Sequence, residues 1–210
     1  MARVKIIDPE TVTDPVSLAL FDWVTDAEGK VPNHFLVEMN FPEYFNAKLS
    51  ATRVLWQAGE LTMEEVQHIG VLVSKANNCE YCTAAFCTIL NFALDKDQDY
   101  VTQLLEQGVE VIDDQRLRTL LEFCLKANAD PQAVTDAEIK GLREVGLTDK
   151  GIVQLVHLVS DFASYNRLNQ VLKTDYDYRD LWRKVGFDWQ RQNGEVAGDD
   201  TRGLPDKPQA

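Results

Sequence analysis

The sequence predicts an all-α protein. Three observations carry that reading: apolar residues recur three and four positions apart along most of the chain, capping residues and glycines bracket those stretches, and the period-two alternation of strands is almost absent. In order, "SLALFDWV" (17–24), "FPEYFNAKLSATRVLWQAG" (41–59), "LTMEEVQHIGVLVSKANN" (61–78), "CEYCTAAFCTILNFAL" (79–94) and "DYVTQLLEQG" (99–108) each read as a helix with one apolar stripe. "DQRLRTLLEFCLKANAD" (114–130), "TDAEIKGLREVG" (135–146) and "TDKGIVQLVHLVSDFASYNRLNQVL" (148–172) repeat the pattern, and the last two open with a Thr-Asp suited to N-capping. The β-prone "IGVLVS" (69–74) stays helical because it lies inside a longer periodic run with Glu64 and Glu65 in the first turn.

A chain of 210 residues can bury a substantial core, and 45% hydrophobic with 26% charged residues is the balance of a globular protein. The expected organisation is one helical domain over 1–192, with an N-terminal arm of about residues 1–13, and a disordered acidic tail over 193–210. Before the tail, "RDLWRKVGFDWQRQ" (179–192) reads as an amphipathic helix docking through Trp182, Phe187 and Trp189. A net charge of −13 repels phosphate backbones and anionic lipid, so neither nucleic acid nor membrane is an expected partner. The start, "MARVKIIDPETVTDP", lacks the apolar core of an export signal, and no eighteen-residue uncharged apolar run occurs. A cytoplasmic protein is the expectation. There structural disulfides are rare, so a close cysteine pair marks redox chemistry or metal binding sooner than a staple.

Three of the four cysteines fall in "NNCEYCTAAFC" (77–87). Asn77 and Asn78 are good helix caps, which puts Cys79 in a first turn where free N–H groups and the macrodipole favour a thiolate. On this argument Cys79 is the more acidic and more exposed sulfur. Cys82, one turn on, shares its face, so the two can form and break a disulfide. Zinc would need two further ligands, and the chain offers only His34, His68 and His157 with no second cysteine pair. Inert packing is the other alternative to redox. Cys87 lies roughly 140° around the helix from Cys82 and reads as a small buried hydrophobe, as does Cys124.

The flanks "ELTMEEVQHIGVLVSKANNCEYCTAAF" (60–86) and "GLTDKGIVQLVHLVSDFASYNRLNQVL" (146–172) resemble the carboxymuconolactone decarboxylase superfamily, in particular its alkylhydroperoxidase AhpD-like, peroxidase-related branch. The resemblance implies an AhpD-like helical bundle assembled as a homo-oligomer: a trimer, hexamer or dimer. It also implies a thiol peroxidase without an organic cofactor. The cysteine matching Cys82 attacks a hydroperoxide and becomes a sulfenic acid, the one matching Cys79 closes the disulfide, and a dithiol or lipoyl-type reductant reopens it. A disulfide is the other substrate class it implies. For peroxide attack the resemblance thus favours Cys82, and Cys79 is left to meet the reductant.

The departures from the family pattern are as informative. A histidine of its proton relay usually stands four residues after the second cysteine, and here that position is Phe86. A glutamate usually stands twelve residues before the first cysteine, and here it is Gln67, whose amide cannot take a proton. The auxiliary candidates are His68, about 100° from Gln67 around a helix, Glu64, one turn before Gln67, and Tyr81, between the cysteines and able to donate to a peroxide oxygen. The run Tyr165, Asn166 and Arg167 reads equally as pocket lining or as an oligomer contact. The expected function is a thiol–disulfide oxidoreductase with altered peroxidase activity. The alternatives are a decarboxylase-like enzyme of other chemistry and a non-catalytic, redox-responsive or structural oligomer.

Overall fold

Side-chain caps set most of the helix starts in the structure, a computed structural model that describes residues 1–179 and Trp182. Asp14 accepts from the Ser17 backbone at the start of α1 (Pro15–Glu28), whose first residue is a proline. The short α2 (Asn33–Glu38) follows Pro32, and α3 (Pro42–Gln57) again opens on proline. A capping box between Thr62 and Glu65 opens α4 (Met63–Ala76). Then come α5 (Glu80–Phe92), α6 (Gln98–Gln107), α7 (Gln115–Ala129), α8 (Asp136–Glu144) and the long α9 (Asp149–Leu172). Among the described residues there is no strand. None of these helices is long and apolar enough to cross a membrane.

The all-α expectation holds, and "IGVLVS" is helical within α4. Two local readings need correction. The helix α2 went unassigned in the sequence because six residues are too few to display a period. Asn77 and Asn78 do not cap α5: Asn77 closes α4, and Asn78 takes the left-handed conformation at φ 54° that turns the chain back. The cap of α5 is Cys79 itself, whose sulfur accepts the backbone N–H of Cys82.

Two apolar clusters form the interior. The larger gathers α4, α5, α6, α7 and α9, with fully buried Ile69, Leu90, Leu104, Leu120, Leu121 and Phe162. The smaller gathers α1, α2 and α3 around Phe21, Phe35, Phe45 and Leu49, and takes in Tyr165 from α9. The turn between α3 and α4 is held from α9, because Gln154 Oε1 accepts from the backbones of Glu60 (2.7 Å) and Leu61 (3.2 Å). Gly59 makes room for it: a Cβ there would fall about 2 Å from the Gln154 amide.

Residues 1–13, expected as an arm, run against the body, with Ile7 N bonded to Leu36 O (3.1 Å) and Arg3 N to Leu172 O (2.8 Å). After α9 the chain crosses back over α2. Asp177 accepts from the Asn33 backbone (3.0 Å) and the Tyr81 hydroxyl (2.6 Å) and pairs with Lys30 (3.0 Å). Tyr178 is buried and donates its hydroxyl to Glu28. Of the amphipathic helix expected at 179–192, Arg179 and the buried Trp182 are described. Phe187, Trp189 and the tail at 193–210 lie outside the described residues.

Candidate active site

The sharp corner between α4 and α5 carries the cysteine pair. The Cys79 backbone N–H reaches Ser74 O (2.9 Å), so the chain turns within a few residues and packs α5 antiparallel against α4. Cys79 Sγ then lies 3.3 Å from the Cys82 backbone nitrogen as a side-chain cap. From α9, Asn169 Nδ2 donates to Cys82 Sγ at 3.3 Å and to Tyr165 O at 3.1 Å. Asn166, one turn earlier, donates to Ser74 Oγ (3.0 Å) and accepts from Asn77 Nδ2 (2.8 Å), bracing the corner from behind. None of the four cysteines is joined to another in this structure.

The geometry reverses the order of acidity expected from helix position. Cys79 is only 1% exposed, and burial, reinforced by its bond to the Cys82 sulfur, pushes its thiol well above the usual range. Burial opposes ionisation at Cys82 too, at 4% exposure, but there the hydrogen bonds from Cys79, Asn166 and Asn169 win and draw the thiol below its ordinary value. The dipole argument fails because it weighed the terminal N–H groups and omitted burial and the neighbouring sulfur. Cys79 is not the more exposed sulfur either. Cys87 and Cys124 are buried, and desolvation pushes both thiols up, as suits packing residues.

A cavity of ≈ 40 Å³ opens beside Cys82 at the seam of the two apolar clusters. Its walls include Trp23, Leu49, Trp56, Ile89 and Phe162, and Phe86 stands among them with its ring 4.7 Å from Phe162 and 6.2 Å from Trp56. Gly70 in α4 accommodates that ring, since a Cβ there would come within 2.4 Å of Phe86 Cδ1. Tyr81 also lines the cavity, but its hydroxyl donates to Asp177 and accepts from the His34 backbone (3.1 Å).

The remaining auxiliary candidates lie elsewhere. Gln67 is fully buried against Met63 Sδ (3.1 Å), with Oε1 unpartnered, and is not on the cavity wall. His68 turns toward α6, its ring nitrogens bonded to Glu64 O and Tyr100 Oη, both at 2.7 Å, and burial lowers its pKa. Glu64 pairs with Lys96 at 2.6 Å on the outer face. The structure therefore separates His68 and Glu64 from the sulfurs, because the stripe of α4 that meets α5 is a different one. Of the run at 165–167, Tyr165 and Asn166 face inward while Arg167 is exposed, and His157 is exposed as well. Among the described residues no three His, Cys, Asp or Glu side chains are grouped so as to hold a metal ion.

Three cavity residues were not singled out in the sequence for this site: His34, Glu28 and Asn169. His34, weighed only as a possible zinc ligand, is buried among the rings of Phe35 (3.7 Å), Tyr81 (5.6 Å) and Tyr165 (5.8 Å). Burial, with the charge of Lys48 nearby, lowers its pKa to about 3. Burial raises that of Glu28 to about 8 against the Tyr178 bond. In sequence, "NHFLVE" offers no spacing that ties His34 to a cysteine pair forty-odd residues later.

The alkylhydroperoxidase AhpD core of an uncharacterized peroxidase-related protein from Ralstonia eutropha JMP134 superposes with a TM-score of 0.74 at 27% identity, over 88% of this chain and 96% of that one. An uncharacterized peroxidase-related protein from Silicibacter sp. TM1040 gives 0.72 at 22% identity, over 89% and 96%. The debrominase Bmp8 gives 0.67 at 18%, over 80% and 89%. No family model and no curated protein sequence matches the chain. The fold is thus that of the all-helical AhpD-like proteins. The chain belongs to the AhpD-like superfamily, as its cysteine flanks had suggested.

Proposed function

We propose that the protein is a thiol–disulfide oxidoreductase of the alkylhydroperoxidase type, an antioxidant protein whose peroxidase activity is altered by Phe86 and Gln67. The supporting observation is the convergence of Cys79 and the Asn169 amide on the Cys82 sulfur, at the edge of a cavity large enough for a small molecule. Cys82 attacks the hydroperoxide, its sulfur gains the oxygen, and the alkoxide leaves. Cys79 then displaces water from the sulfenic acid and closes the disulfide, which an external dithiol or lipoyl-type reductant reopens. With its pKa raised, Cys79 keeps its proton until Cys82 is oxidised, so the two sulfurs do not repel each other as paired thiolates.

The test compares wild type with Cys79→Ser and Cys82→Ser, each given a hydroperoxide under excess dithiol. Wild type turns over and Cys82→Ser does not, while Cys79→Ser, given the hydroperoxide without dithiol, stops at a sulfenic acid that dimedone traps. Equal consumption by all three, with no reversible disulfide on thiol trapping, sinks the reading in favour of a non-catalytic protein.

A second reading draws on the aromatic wall around Phe86 and on the debrominase of like fold, which has been crystallised as a variant with 2,3,4-tribromopyrrole. Here the thiols would act on an organic halide. Bromide release from that compound by the reduced wild type, absent in Cys82→Ser, would favour it, and would mean that the cavity, ≈ 40 Å³ in this structure, widens to admit a ring. Under either reading we expect a cytoplasmic homo-oligomer. Phe41 and Tyr44, stacked and exposed at the start of α3, and Val153 and Val156 on α9 are surfaces such an assembly would cover. Sedimentation velocity that returns a monomer at micromolar concentration would remove that expectation.

A further inference from the structure

The cavity beside Cys82 carries hydrogen-bonding groups that no other described residue engages. Both ring nitrogens of His34, Trp56 Nε1 and Asn169 Oδ1 are buried without a partner among the described residues, and all three side chains line that cavity. Buried polar groups are nearly always satisfied, so several orphans around one cavity point to a ligand that completes them. His34 is 8% exposed and hangs from α2 between aromatic rings, its backbone N–H held by Tyr81 Oη, so the ring has a fixed place. Whichever tautomer it adopts, one nitrogen donates and the other accepts.

The cavity also limits what it admits. Among the described residues no lysine or arginine lines it, and Glu28, the one described carboxyl on its wall, is bonded by Tyr178 and pushed up to about 8, hence mostly neutral at pH 7. A charged ligand would have no counter-ion. At ≈ 40 Å³ the space exceeds the roughly 10–15 Å³ that one water needs and is smaller than an engineered protein cavity of about 150 Å³ that binds benzene. Hydrogen peroxide fits by size and would meet mostly apolar walls. A short alkyl chain suits those walls better.

We infer that the cavity takes a short, uncharged alkyl hydroperoxide and that His34 is the residue that exchanges protons with it. This rests on the thiol-oxidoreductase reading above. The step balances as Cys82–SH + ROOH → Cys82–SOH + ROH. The S–O bond forms as the O–O bond breaks, sulfur is oxidised by two electrons, and the peroxide is reduced. One imidazole nitrogen takes the thiol proton while the other gives its own to the departing alkoxide, so His34 begins and ends neutral. A neutral shuttle suits a ring whose burial, with Lys48 nearby, disfavours resting protonation. It supplies from α2 the proton path that Phe86 cannot supply from α5.

The experiment is single-turnover oxidation of the reduced full-length protein by ethyl hydroperoxide, hydrogen peroxide and cumene hydroperoxide, in wild type, His34→Phe and His34→Gln. Iodoacetamide alkylation of Cys82, followed by peptide mass spectrometry, runs beside it. Wild type should react fastest with ethyl hydroperoxide. His34→Phe should lose about 100-fold or more toward it, His34→Gln should recover part of that, and alkylation, which needs the thiol proton removed but none delivered to the leaving iodide, should fall by a clearly smaller factor. Undiminished oxidation of His34→Phe overturns the inference, as does an alkylation rate that falls by the same factor. Fastest reaction with cumene hydroperoxide overturns the size argument and the substrate class with it. A wild type that exchanges disulfides but ignores all three hydroperoxides overturns this inference and leaves the thiol-oxidoreductase reading standing, whereas one inert in both assays overturns the two together. Circular dichroism reports folding, and if His34→Phe is unfolded, His34→Gln decides on the same readouts.

Discussion

At the scale of single residues, Phe86 and Gly70 form a matched pair. Alanine at a helical glycine ordinarily gains about 0.5–1 kcal/mol, yet at Gly70 its Cβ would meet the Phe86 ring at 2.4 Å. Overpacking of that kind costs about 1–3 kcal/mol, so Gly70→Ala should be net destabilising in urea unfolding. In a Phe86→Ala background the same change should become neutral or stabilising. An identical cost in both backgrounds would mean that the ring does not set it. Phe86 was legible from the sequence as a departure from the family's relay. What surrounds the Phe86 ring was not, because neither Gly70 nor Phe162 has a sequence spacing that announces contact with it.

At the scale of elements, the acidity of Cys82 is built jointly by α5 and α9. Replacing Asn169 by Leu removes an amide that donates to the sulfur. A hydrogen bond donated to a thiolate favours the charged form, so without it the Cys82 pKa should rise. The pH dependence of its alkylation measures this, and an unmoved midpoint would assign the acidity to Cys79 and Asn166 alone. Periodicity and capping chemistry placed α1 and α3–α9 within a few residues, because each is long enough to show its stripe. The site was harder to read. It arises where α2, too short to display a period, swings His34 beside a helix fifty residues away, and where the inward turn of α9 is chosen by packing between two clusters. The expectation that Cys79 would be the acidic sulfur failed for the same reason, since burial is a tertiary fact.

At the scale of the whole molecule, buried acids set how stability depends on pH. Burial raises the Glu28 carboxyl to about 8, so the folded state holds a proton that the unfolded chain releases near its ordinary value of 4.5. Stability from this group should therefore fall as pH rises from about 4.5 to about 8. His34 acts in the opposite sense: lowered to about 3 from 6.5, it makes stability fall as pH drops through that interval. Thermal unfolding of Glu28→Gln between pH 6.5 and 8, above the interval in which His34 contributes, should show a flatter profile than wild type. An unchanged slope would mean that Glu28 ionises freely in the fold.

The segment after α9 has a kinetic consequence for the buried sulfurs. Asp177 ties it to the start of α2 and to Tyr81, the residue next to Cys82, and both sulfurs are at most 4% exposed, so on the proposed function an external dithiol would meet them only after these ties open. Reduction of a Cys79–Cys82 disulfide then waits on a local opening. Its rate should climb with dithiol concentration only until it meets the opening rate, and then level off. Asp177→Asn, which weakens the ion pair with Lys30, should lift that plateau while leaving the slope at low dithiol concentration governed by the opening equilibrium. The latch would in that case act as the protein's clock, metering how often an oxidised site is returned to service.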